Sequence, residues 1–444
     1  MTHNDHRSSA APLVPGLAAR AAALKLLDAV MRRGETMDVV AANATRALAP
    51  ADRALSLAIA NEVCRHVVDL DLLIDSATTL QLAPDLKARM VLRIALVQAL
   101  VLKTPPHAAI ATALPLVSGG PRRLVHGVFG TLMRANAALP ATPSLPLPVE
   151  ERWRAHWGDA MTAGASAALA AAPPLDLTLA DPAQTDHWAT ALGGTSLMPG
   201  HIRLARSGDV ARLAGYATGA WWVQDLAAAL PARLLGPGAG RSLLDVGAAP
   251  GGKTMQLAAA GWKVTALDSS ERRLKRLSEN LDRTNLSAEI LRGDARDLAP
   301  DRQWPDRQWP DRQWDAVMLD APCSATGIFR RHPDVLHRIG PSEIADRAAV
   351  QTAMLDAAAG AVRAGGALVY AVCSLEREEG EDVITDFLSR HGDWTMHAVR
   401  ADELPDGIAP SPPGWVRIAP PMLGDAGGID GFFMARLVHG LSHA

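Results

Sequence analysis

The sequence predicts two different folded parts, an all-α domain followed by an α/β domain built on a doubly wound parallel sheet. Apolar residues recur at helical spacing through residues 17–137, whereas from Ser242 onward short apolar runs alternate with helical segments. Prolines cluster between these regions, at residues 138–149. A chain of 444 residues is also longer than one compact core usually holds, so we expect separate domains.

Residues 17–137 are expected to form helices only, behind a flexible tail at residues 1–16. Helical spacing of apolar residues marks the first helix at Ala18, Ala22, Leu26 and Val30. Later helices are predicted at three places: residues 86–102, 108–117 and 122–133. The last helix is expected to follow a break at Gly119-Gly120-Pro121, because glycine and proline interrupt regular structure.

The proline-rich stretch is expected to be a semi-rigid linker. Residues 138–149 contain four prolines, which remove backbone donors and favour an extended chain. Residues 150–225 are a small mixed region that contains tryptophan, and residues 226–444 are expected to form the α/β domain.

Six apolar runs predict the strands of the sheet, at residues 242–247, 263–268, 288–294, 315–320, 367–374 and 431–438. Between them, residues 270–285 place Leu274, Leu277 and Leu281 on one helical face. A long helix is expected to begin where Ser342 can cap it and to end at Gly365-Gly366. Strands that alternate with helices in this way indicate a parallel sheet with helices on both faces.

Charge is divided unevenly along the chain, although the net charge is only −3. Residues 1–137 hold 15 Lys and Arg against 10 Asp and Glu, while the remainder holds 29 against 37. A basic module joined to an acidic one suggests that the first meets a polyanion such as RNA. An excess of this size is also common in ordinary helical domains, so charge alone leaves the partner open.

Cysteine content and hydropathy indicate a protein of the cytoplasm. Three cysteines cannot build a disulfide framework, which favours a reducing compartment. The short, proline-interrupted apolar stretch near the N-terminus does not fit a signal peptide. No run approaches 18 uncharged apolar residues, so we expect no contact with a membrane interior.

One low-complexity feature precedes the fourth predicted strand. The pentapeptide PDRQW occurs three times in succession over residues 300–314. Its tryptophans and arginines could stack on bases. We favour an expanded surface loop without a role.

A glycine-rich loop follows the first predicted strand and opens a helix. It contains Gly247, Ala248, Ala249, Pro250, Gly251, Gly252 and Lys253. With Thr254 it matches GxxxxGK[ST], the phosphate-cradling loop of nucleotide hydrolases. Small residues at a helix N-terminus also suit other anionic or nucleoside ligands.

Acidic residues at the ends of the next strands favour a nucleoside ligand over a triphosphate. Asp245, Asp268, Asp294 and Asp320 end the first four strands. Asp268 lies where a carboxylate can accept both ribose hydroxyls, whereas four uncompensated carboxylates would repel a triphosphate. S-Adenosylmethionine, with its ribose and sulfonium, fits this site better. Asp245 could instead serve only to orient the loop.

Two of the three cysteines are predicted to face one crevice. Cys323 follows the fourth strand and Cys373 ends the fifth, and these strands are neighbours in a doubly wound sheet. A thiolate added to carbon 6 of a pyrimidine activates carbon 5 for methylation, and a base must then remove the carbon 5 proton. Asp320 could donate to ring nitrogen 3 if burial raises its pKa. The spacing does not decide which thiol attacks.

The motifs together resemble the bacterial RNA cytosine-5 methyltransferases of the RsmB (Sun) type. The most specific matches are DVGAAPGGKT, LDAPCSATGIFRRHPD and VYAVCSLEREEGE. The stretches LVLKTPPHAAIATALPL and RRLVHGVFGTLMR resemble the NusB-like RNA-binding domain that this subfamily carries in front. The resemblance implies a NusB-like all-α domain joined to a Rossmann-like class I S-adenosylmethionine-dependent methyltransferase domain.

The resemblance also implies roles for individual residues. Cys373 matches the nucleophile and Cys323 the cysteine that assists product release, with Asp320 activating the base. The methyl donor is held at residues matching 247–253 and at Asp268, Asp294 and Asp320. We add Arg330, Arg331 and His332 as candidate contacts to RNA phosphates, although a solvated charge run is an equal alternative.

The sequence therefore predicts an enzyme that transfers a methyl group from S-adenosylmethionine to carbon 5 of cytosine in 16S ribosomal RNA. Transfer RNA is the second substrate class. A P-loop hydrolase and a non-catalytic RNA-binding assembly factor are less favoured alternatives. We expect a cytoplasmic monomer that requires no metal.

Overall fold

The computed structural model describes residues 16–205, 208–298 and 313–441. The chain divides into two compact units. One holds the residues up to Pro146 together with His332–Arg338, and the other holds Leu147–Arg331 and the residues from Ile339 onward. The PDRQW repeats lie outside the described residues except for the last two positions, Gln313 and Trp314.

The described residues of the first unit are helical, as predicted. The helices are α1 (Leu17–Arg33), α2 (Met37–Ala44), α3 (Pro50–Ser76), α4 (Lys87–Leu100), α5 (Pro106–Ala113) and α6 (Gly119–Arg134). The central helix α4 buries eleven of its fourteen residues. Two of these are Arg89 and Arg93, which form ion pairs with Asp71 and Asp75 of α3 and so bury their charge in pairs.

The last helix was predicted to begin at residue 122, after a break at Gly119-Gly120-Pro121, and this start was wrong by three residues. Helix α6 begins at Gly119 and includes all three. Proline is tolerated in the first turn of a helix because its missing N–H has no partner there in any case. The interruption lies one residue earlier, at Ser118, whose backbone is extended.

The predicted linker is extended only up to Pro146. Ser144 donates from its backbone N–H and its hydroxyl to the buried carboxylate of Asp69, at 2.9 and 2.7 Å. Helix α7 (Leu147–Trp157) then begins inside the predicted linker, with Pro148 in its first turn, and α8 (Asp159–Ala170) follows.

A small antiparallel sheet follows these helices in the second unit. Its strands are β1 (Leu175–Leu179), β2 (His201–Leu204) and β3 (Trp221–Val223), in the order β2-β1-β3, with α9 (Thr185–Leu192) between the first two. A buried ion pair joins Asp176 of β1 to Arg203 of β2. Burial alone would raise the pKa of Asp176, but hydrogen bonds from Arg203 and His201 hold it below its usual range.

The large sheet has the order β10-β11-β8-β7-β4-β5-β6, with β9 paired to β11. Its strands are β4 (Ser242–Val246), β5 (Lys263–Asp268), β6 (Glu289–Arg292), β7 (Trp314–Asp320), β8 (Val362–Val372), β9 (Trp394–Met396), β10 (Val416–Ile418) and β11 (Phe432–His439). The accompanying helices are α10 (Leu226–Arg233), α11 (Gly252–Ala259), α12 (Glu271–Thr284), α13 (Pro341–Gly360) and α14 (Glu381–Arg390).

The five strands from β4 to β8 are parallel, and β11 is antiparallel to β8. The chain runs outward from β4 to β6 and returns to the other side of β4 as β7. This reversal creates a crevice at the carboxyl ends of β4 and β7, where such sheets bind ligands. The predicted doubly wound sheet is confirmed, and each predicted strand lies within one of the observed strands or overlaps it.

The long helix before β8 begins and ends earlier than predicted. Gly340 is its N-cap residue, and Glu343 accepts a hydrogen bond from the Gly340 N–H at 3.0 Å. Ser342 lies inside the first turn, behind Pro341. The helix stops at Gly360, and Gly365-Gly366 lies within β8. The prediction for α12 is confirmed, since Leu274, Leu277 and Leu281 are all buried.

Candidate active site

The glycine loop connects β4 to α11 and passes close to the end of β7. Gly247 has φ of +76°, and a Cβ atom there would lie 2.3 Å from the carbonyl oxygen of Asp320. Only glycine permits this approach. The N–H groups of Gly247 and Ala248 donate to the Leu267 carbonyl at 2.9 and 3.1 Å, which fixes the loop against β5. The loop is thus shaped by its neighbours before any ligand binds.

Asp245 lies beneath this loop rather than facing the crevice. Its carboxylate is fully buried and accepts a hydrogen bond from the Thr254 hydroxyl at 2.6 Å. Burial raises the pKa of Asp245 to about 7. Asp245 therefore supports the start of α11 through Thr254.

Asp268 ends β5 and contacts the loop, and Asp294 follows β6, the next strand of the sheet. The Asp268 carboxylate accepts from the Ala249 N–H at 3.2 Å and from the Ser270 N–H at 2.9 Å. The Gly293 N–H donates to the Asp268 carbonyl at 3.2 Å. Asp294 is the residue that follows Gly293, so this bond holds its backbone near the end of β5. Asp294 is more exposed and holds Arg296 at 2.6 Å. Both acids lie at or just after the carboxyl ends of parallel strands, where such sheets bind ligands.

The geometry of Lys253 and Thr254 does not fit a phosphate-cradling loop. Lys253 Nζ lies 2.7 Å from Asp320 Oδ2, and the Thr254 hydroxyl is bound to Asp245. In a P-loop the lysine reaches phosphate and the hydroxyl reaches magnesium. Here both groups are held by carboxylates, so the hydrolase alternative loses its two defining contacts.

The ion pair with Lys253 also changes the prediction for Asp320. That side chain is about one-third exposed and is paired with an ammonium group. Asp320 Oδ2 accepts a hydrogen bond from Lys253 Nζ. At this oxygen Asp320 is an acceptor, and the predicted donation from a neutral carboxyl does not fit this arrangement.

The two predicted thiols meet in the crevice. Cys323 Sγ and Cys373 Sγ are 3.4 Å apart. Strands β7 and β8 pair in parallel with Asp320 beside Ala371, so the loops after them leave the sheet at the same edge. The presence of Cys373 raises the pKa of Cys323 well above its ordinary value, and burial and the Glu379 charge add to this rise.

A close backbone contact brings the two cysteine loops together. The Gly327 N–H donates to the Cys373 carbonyl at 3.0 Å. A Cβ atom at Gly327 would lie 2.0 Å from the Gly431 carbonyl oxygen. The glycine is therefore required for the loop after Cys323 to reach the end of β8.

Helix α7 supports the loop that follows Cys373. Arg152 and Trp153 both donate to the fully buried Glu376, at 2.6 and 3.0 Å. Trp157 donates to the Leu375 carbonyl at 2.9 Å. Local sequence patterns do not indicate these contacts, because they join residues more than 200 positions apart.

The arginines proposed as RNA contacts are engaged within the protein. Arg330 is almost completely buried and donates to the Gly427 carbonyl at 2.6 Å. Arg331 lies between Asp225 and Asp430, at 2.6 and 3.0 Å. Burial makes Arg330 unsuitable for contacting phosphate, so we withdraw it as a candidate.

His332 differs from these two arginines in its exposure. It belongs to the helical unit, is about one-third exposed and lies 3.6 Å from Asp38. It stays a candidate RNA contact.

The sequence matches known families over both units. Residues 232–438 match the family described as 16S rRNA methyltransferase RsmB/F, and residues 17–124 match the NusB family. Ribosomal RNA small subunit methyltransferase B of Xylella fastidiosa is 36% identical, over 96% of this chain and 99% of that protein. The chain belongs to the RsmB/F family. The protein of the same name from Klebsiella pneumoniae is 31% identical over 94% of this chain and 97% of its own length.

Solved structures share the fold of this RsmB/F family member. The crystal structure of PH0851 covers 96% of this chain and 99% of its own, with a TM-score of 0.71 and 22% identity. NSun6 from Pyrococcus horikoshii with SFG covers 67% and 98%, with a TM-score of 0.56 and 19% identity. The predicted fold, NusB-like helices joined to a Rossmann-like methyltransferase domain, is confirmed. Among the described residues, no helix combines the length and apolar character that crossing a membrane demands.

Proposed function

We propose that this enzyme transfers a methyl group from S-adenosylmethionine to carbon 5 of a cytosine in 16S ribosomal RNA. One observation carries the proposal: Cys323 and Cys373 lie with their sulfur atoms 3.4 Å apart at neighbouring strand ends. Two thiols in this position suit a reaction that needs a nucleophile and a base on the same pyrimidine. Membership of the RsmB/F family supports the ribosomal substrate.

The crevice between β4 and β7 fits the methyl donor. The glycine loop opens helix α11 at this crevice, and a helix N-terminus favours electronegative ligand groups. Asp268 offers carboxylate oxygens to a ribose diol. The loop residues 247–253, Asp268 and Asp294 would hold the donor, with Asp320 at the boundary with the target base. When bound, S-adenosylmethionine supplies a methyl group activated by a sulfonium.

The thiols divide the chemistry between them. The Cys373 thiolate adds to carbon 6, and the electron pair of the carbon 5–carbon 6 bond moves to carbon 5, which takes the methyl group. Cys323 in its thiolate form then removes the carbon 5 proton, the double bond re-forms, and the Cys373 sulfur leaves as a thiolate. Each transfer releases one proton overall.

Asp320 orients the target cytosine. Its carboxylate, paired with Lys253, accepts from the exocyclic amino group or from ring nitrogen 3 once that atom is protonated. The base must leave any stack to enter this crevice.

Methyl transfer to purified RNA tests the substrate directly. With labelled S-adenosylmethionine, we expect 5-methylcytosine at one position of 16S rRNA taken from cells that lack the protein. Transfer RNA from the same cells is expected to take up no label. Label in transfer RNA and not in 16S rRNA would overturn the ribosomal assignment, and label at another atom of the base would overturn the chemistry.

The exposed side of α6 is proposed to bind RNA phosphates. Residues 86–149 contain no aspartate or glutamate. Within this span Lys103, Arg122, Arg123 and Arg134 are exposed, and in the described part of the chain no carboxylate is within ion-pair distance of them. Surface cations that no carboxylate neutralises are available to the phosphates of an RNA backbone.

Salt dependence of RNA binding tests this surface. Changing Arg122 and Arg123 to glutamine is expected to lower the slope of log K against log salt by about 1–2, because each phosphate contact releases counterions. The matched control changes Arg32 and Arg33, another adjacent pair, which already bind Asp28 and Glu35. Equal slopes for the two double variants, measured by fluorescence anisotropy, would remove α6 from the RNA interface.

A further inference from the structure

Glu379 is a buried carboxylate to which the chemistry above gives no role. It lies in the short turn between β8 and α14 and is fully buried. Burial raises the pKa of its carboxyl, and the hydrogen bonds that it accepts oppose this rise. A buried carboxylate is costly unless its oxygens are well bonded, so its contacts define its purpose.

Each oxygen of Glu379 accepts two hydrogen bonds. Oε1 accepts from the Ser324 N–H at 2.8 Å and from Gln351 Nε2 at 3.0 Å. Oε2 accepts from the hydroxyl groups of Ser324 and Ser374. Gln351 also donates to the Pro322 carbonyl at 3.0 Å. The carboxylate therefore collects donors from two loops that are 50 residues apart in the chain.

The bonded serines are the immediate neighbours of the two thiols. Ser324 follows Cys323, and Ser374 follows Cys373. The serine hydroxyls also lie 3.1 Å from each other, while the sulfur atoms are 3.4 Å apart. A shift of either loop would therefore break a bond to Glu379 and change the separation of the sulfurs.

We propose that Glu379 is a positioning residue that holds Cys323 and Cys373 at their working separation through Ser324 and Ser374. The proposal rests on the thiol roles given above. It identifies Glu379 as the residue that keeps both thiols within reach of the same cytosine. Glu379 touches neither sulfur in the hydrogen-bond network and acts through the serines. Nucleophile and base must both reach one six-membered ring, so a displacement of about 1 Å costs on the order of 100-fold in rate.

The two serines provide a matched pair of variants. Each change to alanine removes one hydroxyl from the same carboxylate, but it releases a different thiol. In S324A the base moves while the nucleophile stays, so we expect the protein–RNA adduct to accumulate several-fold above wild type. In S374A the nucleophile moves, so we expect less adduct than wild type. Denaturing gels with labelled RNA measure the trapped fraction.

Changes at Glu379 itself affect both steps. We expect E379A to lower kcat by about 100-fold with the RNA KM changed by less than about threefold, since the bound substrate meets misplaced thiols. E379Q keeps the size and can still bond to both loops, so it is expected to recover most of this loss. The control D382A removes an exposed carboxylate that pairs only with Arg377 in the described network.

If Glu379 only stabilised the fold, S324A and S374A would both lower the fraction of trapped protein–RNA adduct. Positioning of the thiols instead predicts that the adduct fraction rises in S324A and falls in S374A. Equal adduct fractions in these two variants, or a wild-type kcat in E379A, would overturn the proposal. If E379A does not fold, as judged by donor binding and thermal unfolding, the serine pair and E379Q decide the question. Activity in C373A would instead overturn the thiol roles and leave the structural link between the loops untouched.

Discussion

Replacing Cys373 with alanine is expected to abolish methyl transfer and to leave no covalent protein–RNA adduct. Without the thiolate, carbon 5 of cytosine is not activated, and we expect kcat to fall by at least about 1,000-fold. The variant should still bind S-adenosylmethionine, because the donor loop at residues 247–253 is held by β4 and β5. Labelled methyl transfer and donor binding by calorimetry are the two measurements.

Replacing Cys323 with alanine is expected to have the opposite effect on the adduct. Cys373 still attacks and the methyl group is still transferred, but no base removes the carbon 5 proton, so the protein stays attached to RNA. Cys64 provides the control for loss of a thiol, since it is buried in the helical unit. C64A should retain turnover and form no stable adduct. Accumulation of adduct in C373A and not in C323A would reverse the assignment.

Changing Asp320 to asparagine is expected to lower kcat by about 100–1,000-fold, which is the range seen when one hydrogen-bonding group that stabilises a transition state is removed. The carboxylate is the acceptor proposed for the cytosine, and it is the only partner of Lys253 in the described hydrogen-bond network. An amide keeps the shape but presents donors to the base and leaves the ammonium group without its counter-charge.

Binding measurements separate the two roles assigned to Asp320. If it orients the cytosine, D320N lowers kcat while the donor Kd changes little. If it acts on the donor alone, the Kd rises and kcat at saturating donor stays near wild type, which would contradict base orientation. The exposed Asp346 on α13 provides the control for a change from carboxylate to amide.

Local patterns predicted the elements that carry the chemistry. The strand Lys263–Asp268 was predicted to the residue, because a buried parallel strand is a continuous apolar run with an acid at its end. The meeting of Cys323 and Cys373 followed from sheet topology, since neighbouring parallel strands end at one edge. The end of α13 was missed because Gly365-Gly366 looks like a helix stop, although the pair lies within β8.

Tertiary contacts explain what the sequence could not show. The sequence at Arg330 and Arg331 predicts a contact to phosphate. In the structure Arg331 instead forms ion pairs with Asp225 and Asp430, which are far away in sequence. Arg330 is buried. The role of Glu379 depends on two loops that only the fold brings together. A signal for it was present nonetheless, because each of the two crevice cysteines is followed by serine.

The point of attachment of RNA to the protein tests the central claim most directly. The C323A variant, incubated with S-adenosylmethionine and 16S rRNA, would be digested with protease and nuclease, and the cross-linked peptide identified by mass spectrometry. The account predicts a single cytidine that carries one added methyl group and is bonded to Cys373. A nucleotide bonded to any other residue, or a bonded cytidine without the methyl group, would contradict it.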